Sequence, residues 1–132
     1  MNPAIDVLVV DDEPVVGDAV RLVLEDAGLR VARARDGESA LAHPAFAECR
    51  MVLCDVLLPG MSGLDVLRAM RERRPNLPIV IITGYATAGT ADRTLEAGAS
   101  AFLAKPFDDR ELLELVRRVL GFANVPREGE SS

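Results

Sequence analysis

Residues 5–13 read Ile5-Asp6-Val7-Leu8-Val9-Val10-Asp11-Asp12-Glu13, an almost continuously apolar run that ends in three carboxylates. A short valine-rich run of this kind is typical of a strand in a parallel sheet whose two faces are both covered by helices. Pro14 follows directly, and proline is favoured in the first turn of a helix. The stretch therefore predicts a buried strand, an acidic loop at its carboxyl end and a helix.

The alternation of a short β-branched run with a helical pattern recurs five times along the chain. We predict strands at residues 5–10, 29–34, 51–54, 79–82 and 101–103. This alternation is typical of an α/β fold with a parallel sheet. The second run contains Arg30 and Arg33, so we predict that it forms an edge strand. The fourth helix, at residues 86–97, is predicted to be weak because Gly89 costs about 1 kcal/mol relative to alanine.

The ends of two helices carry recognisable signals. Asp108 and Glu111 have the spacing of a capping box at the start of the last helix, and Gly121 marks its end. Three arginines, Arg71, Arg73 and Arg74, lie in the last turn of the third helix. Positive charge there is favourable beside the negative end of the helix dipole.

Length and composition describe one acidic domain. The chain has 132 residues and a net charge of -6, which offers no general surface for nucleic acid or anionic lipid. Cys49 and Cys54 do not have zinc-binding spacing, so we expect two reduced thiols. No stretch resembles a signal peptide or a membrane span, and we expect a cytoplasmic protein with a folded domain at residues 1–121. Residues 122–132 are polar and aperiodic, as in a flexible tail or the start of a linker.

Chemically active side chains fall at the predicted carboxyl ends of four strands, which is where doubly wound sheets bind ligands. Clustered carboxylates repel each other unless a cation lies among them, and a rim of oxygen ligands suits Mg²⁺. A carboxylate such as Asp55 can attack a phosphoryl group, while an ammonium and a hydroxyl bind its oxygens. Each residue taken singly also fits an ordinary role as a cap, a turn former or a solvated charge. The side chains concerned are Asp11, Asp12, Asp55, Thr83 and Lys105.

Over residues 5–120 the chain resembles the receiver domain of two-component response regulators. Four stretches carry the resemblance: Val9-Val10-Asp11-Asp12-Glu13, Asp55-Val56-Leu57-Leu58-Pro59-Gly60-Met61-Ser62-Gly63, Thr83-Gly84 and Phe102-Leu103-Ala104-Lys105-Pro106-Phe107. The resemblance implies a flavodoxin-like (βα)5 fold, with a doubly wound, five-stranded parallel sheet in the order 2-1-3-4-5. It also implies a signalling module rather than an enzyme, phosphorylated on Asp55 by a histidine kinase or a phosphotransfer protein with the help of Mg²⁺.

The resemblance assigns roles at the level of single residues. Asp12 and Asp55 would bind Mg²⁺ directly, and Asp11 would bind it through water. The carbonyl of Leu57 would complete the protein ligands. Thr83 would hydrogen-bond the phosphoryl group that Asp55 carries, and Lys105 would pair with it.

A switch is also implied. Phe102 corresponds to an aromatic residue that swings inward when Thr83 moves towards the phosphoryl group, although a plain core phenylalanine fits the same position. The switching face would comprise the fourth helix, the fifth strand and the fifth helix, through which a homodimer could form.

The Lys105–Pro106 peptide bond is expected to be cis. His43, the only histidine, is expected to have a structural role far from this edge.

Two positions bear on the lifetime of the phosphorylated state. Leu57 and Tyr85 lie two residues beyond Asp55 and Thr83, where polar side chains could orient an attacking water. Because these side chains are apolar and aromatic, we predict slow hydrolysis of the aspartyl phosphate.

Other functions remain open at this point. The chain could be the receiver part of a longer regulator with an output domain, or an interaction module that is never phosphorylated. A haloacid-dehalogenase-type phosphohydrolase also uses an aspartyl nucleophile, but on the first strand, with a second acid where this chain has Glu13. A flavodoxin-like cofactor binder would need a phosphate loop, and three carboxylates there would repel phosphate.

A surface patch also resembles the one on which receivers dock their kinase. It comprises Val15, Val16, Ala19, Pro106 and Phe107.

Overall fold

The computed structural model describes residues 5–55, 63–84 and 88–121, in which five strands alternate with five α-helices. The strands are β1 (Val7–Val10), β2 (Val31–Ala34), β3 (Met51–Asp55), β4 (Ile79–Thr83) and β5 (Ala101–Ala104). The helices are α1 (Pro14–Asp26), α2 (Gly37–Ala42), α3 (Gly63–Arg73), α4 (Ala88–Glu96) and α5 (Asp109–Leu120), and a 3-10 helix, Pro44–Ala47, precedes β3. Among the described helices, none is long and apolar enough to cross a membrane.

The strands form one parallel sheet in the order β2-β1-β3-β4-β5, which confirms the predicted fold. In this register Val7 lies opposite Val31 of β2 and Met51 of β3. β2 is an edge strand, as Arg30 and Arg33 in the second apolar run predicted.

Side chains of each central strand alternate between two buried cores. Leu8 and Val10 belong to the core that also contains Val66 of α3. Val7 and Val9 belong to the opposite core, which contains Leu24 of α1 and residues of α5. Helices therefore cover both faces of the sheet, which explains why β1 is apolar at every position.

Three strands extend one residue further than the sequence predicted. β3 ends at Asp55 and β4 at Thr83, because Asp55 lies in register with Ile82, and Thr83 with Ala104 of β5. Aspartate is disfavoured in strands, but Asp55 is still paired with Ile82 of β4, which continues to Thr83. As a result Asp55 and Thr83 are buried strand residues.

Most of the predicted helix signals are present. The Asp108 and Glu111 side chains form the capping box of α5, and Gly121 ends it with a φ of 74°. Pro14 occupies the first turn of α1. α4 was predicted from residue 86, but residues 86 and 87 lie outside the described part of the chain.

Candidate functional site

Four side chains meet at the carboxyl edge of the sheet. Asp11 follows β1, Asp55 ends β3, Thr83 ends β4 and Lys105 follows β5. These strands are neighbours in the sheet, so residues 94 positions apart in the chain come to one edge. Asp11, Asp55 and Thr83 are buried, whereas Lys105 is partly exposed.

An ion pair joins the ends of β3 and β5. The Lys105 Nζ lies 2.9 Å from Asp55 Oδ2 and donates a hydrogen bond to it. A second carboxylate oxygen, Glu13 Oε1, lies 3.9 Å from the same ammonium. The Lys105 N–H also donates to the Thr83 carbonyl at 2.7 Å. Lys105 is therefore held by both its backbone and its side chain against the buried carboxylate.

Three carboxylates surround this ammonium. One oxygen each from Asp11, Glu13 and Asp55 lies within 4.8 Å of the others. With all three ionised, Lys105 leaves two negative charges uncompensated, which is the charge of one divalent cation. The donors are all oxygen atoms, which is the ligand type that Mg²⁺ prefers. The residues present thus fit a divalent metal ion.

The pKa shifts reflect this crowding. Burial raises the pKa of Asp11, and the negative charge of Asp55 raises it further, although the Glu13 N–H donates to Asp11 Oδ1 at 2.8 Å and partly offsets the effect. Burial lowers the pKa of Lys105, but the hydrogen bond to Asp55 and the surrounding carboxylates outweigh it, so that the pKa is raised. The site is electrostatically short of positive charge.

The described carboxylate group differs in composition from the predicted set of ligands. Glu13, to which the sequence assigned no role in metal binding, is part of the described carboxylate group, and Asp12 is not, although both side chains are exposed. The sequence showed Glu13 as the last of three consecutive acidic residues, Asp11-Asp12-Glu13. The conformation of this loop decides which of the three side chains face the sheet edge. Leu57 and Tyr85 lie outside the described residues.

Of the two predicted switch residues, Thr83 lies at this edge and Phe102 lies on β5, three residues before Lys105. Thr83 is buried at the end of β4. Phe102 is partly buried, lies in register with Ile81, and packs on the same core as α3. The Lys105–Pro106 peptide bond is cis.

His43 is closer to this edge than the sequence indicated. Its Nδ1 accepts the Ala45 N–H at 3.0 Å and caps the 3-10 helix, which is a structural role. However, His43 and Asp11 line one cavity of about 340 Å³. α2 is only a short helix, and it leaves its C-terminal residues near the strand ends.

An apolar groove of about 560 Å³ lies next to the site, between α1 and α5. The side chain of Val15 is strongly exposed, at 81%. Lys105 also lines the groove, so this surface is continuous with the acidic pocket. All five residues of the patch singled out in the sequence line it, namely Val15, Val16, Ala19, Pro106 and Phe107.

Comparison with known proteins defines the class. Residues 7–117 match the response regulator receiver domain family, and the chain belongs to this family. Receiver domains are signalling modules of two-component systems that histidine kinases phosphorylate. The buried acidic pocket fits the phosphoacceptor role of such a domain.

Two curated relatives are similar to this chain over most of its length. The chain is 39% identical over 114 residues to the probable transcriptional regulatory protein TcrX of Mycobacterium tuberculosis, covering 86% of this chain and 49% of TcrX. It is 35% identical to the nitrogen assimilation regulatory protein NtrX of Azorhizobium caulinodans, covering 93% of this chain and 28% of NtrX. It thus spans about half or less of the length of these curated relatives.

Two of the solved structures that match are receiver domains over almost their whole length. The receiver domain of NtrX from Brucella abortus superimposes with a TM-score of 0.82 at 36% identity, covering 88% of this chain and 98% of that one. A CheY-like receiver domain protein from Methanospirillum hungatei JF-1 gives a TM-score of 0.84 at 30% identity, covering 92% and 98%.

Proposed function

We propose that Asp55 accepts a phosphoryl group from the phosphohistidine of a sensor histidine kinase or a phosphotransfer protein. The observation that carries this proposal is the buried Asp55 carboxylate, whose Oδ2 lies 2.9 Å from Lys105 Nζ within an acidic pocket. A carboxylate oxygen of Asp55 attacks phosphorus and forms an O–P bond. The P–N bond breaks, and its electron pair leaves with the imidazole nitrogen.

The cofactor in this proposal is Mg²⁺. Asp11, Asp12, Asp55 and the Leu57 carbonyl are the proposed protein ligands. Asp11 and Asp55 belong to the described carboxylate group, to which Glu13 adds a third carboxylate. A bound Mg²⁺ offsets negative charge on the phosphoryl oxygens during transfer. The uncompensated charge of the carboxylate group supports this choice.

Lys105 and Thr83 are proposed to bind the phosphoryl group on Asp55. The Lys105 ammonium already lies beside the acceptor carboxylate. The Thr83 hydroxyl is at the end of the neighbouring strand, from which it reaches the phosphoryl group by a small movement. Both donors act at a partly dry site, where charge-assisted hydrogen bonds are strong.

Phosphorylation would then shift the surface formed by α4, β5 and α5, with Phe102 as the switch aromatic. A shift from 1:99 to 99:1 requires about 5.5 kcal/mol of differential stabilisation. New bonds from Lys105 and Thr83 to the phosphoryl group are the proposed source. This surface is also the proposed interface of a homodimer.

The first test is phosphoryl uptake in Mg²⁺. After incubation with acetyl phosphate and Mg²⁺, intact-mass measurement is expected to show one added phosphoryl group per chain, because a single acceptor lies in the pocket. With a chelator in place of Mg²⁺, the uncompensated carboxylates repel the donor, and uptake is expected to fall at least about tenfold. Equal uptake under the two conditions would contradict a metal-dependent acceptor.

We further propose that the domain, at residues 1–121, catalyses only its own phosphorylation and dephosphorylation, in the cytoplasm and without binding nucleic acid itself. Steady turnover of a phosphate ester would instead favour a phosphohydrolase.

The greater length of the curated relatives favours a second form of the proposal, in which this domain is the receiver part of a longer regulator. Residues 122–132 would then begin the linker to its output domain.

The lifetime of the aspartyl phosphate gives a second prediction. The double variant Leu57→Asn/Tyr85→Glu is expected to lose its phosphoryl group about tenfold to a hundredfold faster than the parent, because an amide and a carboxylate can orient and activate water. Decay after removal of acetyl phosphate is followed by intact mass. Leu22→Asn, at an exposed position on α1, is the control and should decay like the parent. An unchanged decay rate in the double variant would defeat the assignment.

A further inference from the structure

The three arginines at the end of α3 do more than face the helix dipole, because each donates to backbone carbonyls of another segment. Arg73 binds the Leu41 carbonyl at the end of α2. Arg74 binds the carbonyls of Phe46 and Cys49, at 2.8 and 2.7 Å. α3 is thereby attached to the segment that precedes β3.

Arg71 reaches in the opposite direction, towards α4. Its Nε and Nη2 both donate to the Gly98 carbonyl, at 3.2 and 2.6 Å. Its Nη1 donates to the carbonyls of Pro75 and Leu77, at 2.9 and 2.6 Å. One guanidinium therefore joins α3, the loop before β4 and the turn after α4.

The turn after α4 is shaped around this side chain. Gly98 has a φ of 109°, and a Cβ placed there would lie 3.2 Å from Arg71 Nε. The Ala97 N–H donates to the Arg93 carbonyl, and the Ala99 N–H donates to the Thr94 carbonyl, each at 3.0 Å. Thr94 itself is only 1% exposed. The C-terminal end of α4 is thus held by backbone hydrogen bonds, by the burial of Thr94 and by Arg71.

The N-terminal end of α4 differs in two respects. It begins at Ala88, five residues after Thr83 of the acidic pocket. It also contains Gly89 and Thr90, which are both poor helix formers. The end of α4 nearest the pocket in sequence is therefore intrinsically weak, and the far end is hydrogen-bonded to Arg71 of α3.

We infer that Arg71 makes the C-terminal turn of α4 a fixed pivot, so that phosphorylation of Asp55 displaces the N-terminal end of the helix. The inference rests on the proposed function of Asp55. Nine residues of α4 span about 13 Å, so a rotation of about 10° about the pivot moves the first turn by about 2 Å. Arg71 is a positioning residue in this scheme and does not touch the phosphoryl group.

The test measures amide hydrogen exchange by NMR in the full chain, alone and with acetyl phosphate and Mg²⁺, after intact mass has shown the extent of phosphorylation. The variants are Arg71→Met and its matched control Arg73→Met, which removes an arginine from the same turn but no contact with Gly98. In the parent, phosphorylation is expected to change exchange at residues 88–91 and to leave residues 97–99 unchanged. In Arg71→Met, exchange at residues 97–99 is expected to rise about tenfold without phosphorylation, and to change further with it.

The outcomes separate the two proposals. Parent-like exchange at residues 97–99 in unphosphorylated Arg71→Met would overturn the pivot, whether or not Asp55 is phosphorylated. Equal changes at both ends of α4 in the phosphorylated parent would also overturn it. A parent that takes up no phosphoryl group would overturn the proposed function instead. If Arg71→Met does not fold, Arg71→Lys, which keeps the positive charge but replaces the guanidinium fork by a single ammonium, takes its place, and a smaller rise at residues 97–99 is expected.

Discussion

Asp55→Asn is expected to abolish phosphoryl uptake from acetyl phosphate in Mg²⁺. The asparagine amide has nearly the shape of the carboxylate but no anionic oxygen, so it cannot form the acyl phosphate. The substitution also removes the charged partner of Lys105, which lies 2.9 Å from Asp55 Oδ2. Intact mass should show no adduct under conditions in which the parent is modified.

The matched control is Asp26→Asn, which makes the same change at an exposed position at the end of α1. This variant should take up one phosphoryl group at the rate of the parent. Circular dichroism of both variants checks that the fold is retained. An adduct on the Asp55→Asn chain would show that another residue accepts the group, and it would defeat the assignment of Asp55.

The second large effect is on stability. Leu24→Ala is expected to lower the free energy of unfolding by about 3 kcal/mol, since truncating a buried leucine removes apolar contacts and leaves a cavity. Leu24 is 0% exposed and belongs to the core between the sheet and the helices α1 and α5. Urea unfolding should show a lower midpoint and an unchanged slope.

Leu22→Ala makes the identical change two residues earlier on the same helix. Leu22 is 59% exposed, so its truncation should cost less than about 1 kcal/mol. Similar losses in the two variants would contradict the orientation of α1 on the sheet.

The sequence by itself determined the order of the elements and the place of the site. Apolar runs such as Val7–Val10 alternate with helical patterns, and this alternation restricts the chain to a parallel sheet with helices on both faces. Carboxyl ends of parallel strands share one edge. Asp11, Asp55 and Lys105 were therefore expected together, although long stretches of chain separate them.

The tertiary structure decided which atoms meet. Asp12 and Glu13 are adjacent in a loop, and only the backbone conformation of that loop sets which carboxylate joins Asp11 and Asp55. The reach of Arg71 could not be predicted either, because its partner Gly98 lies 27 residues away. The spacing of apolar residues in the sequence predicts which face of a helix or strand is buried. Contacts between elements depend on how those faces pack, and that packing exists only in the folded chain.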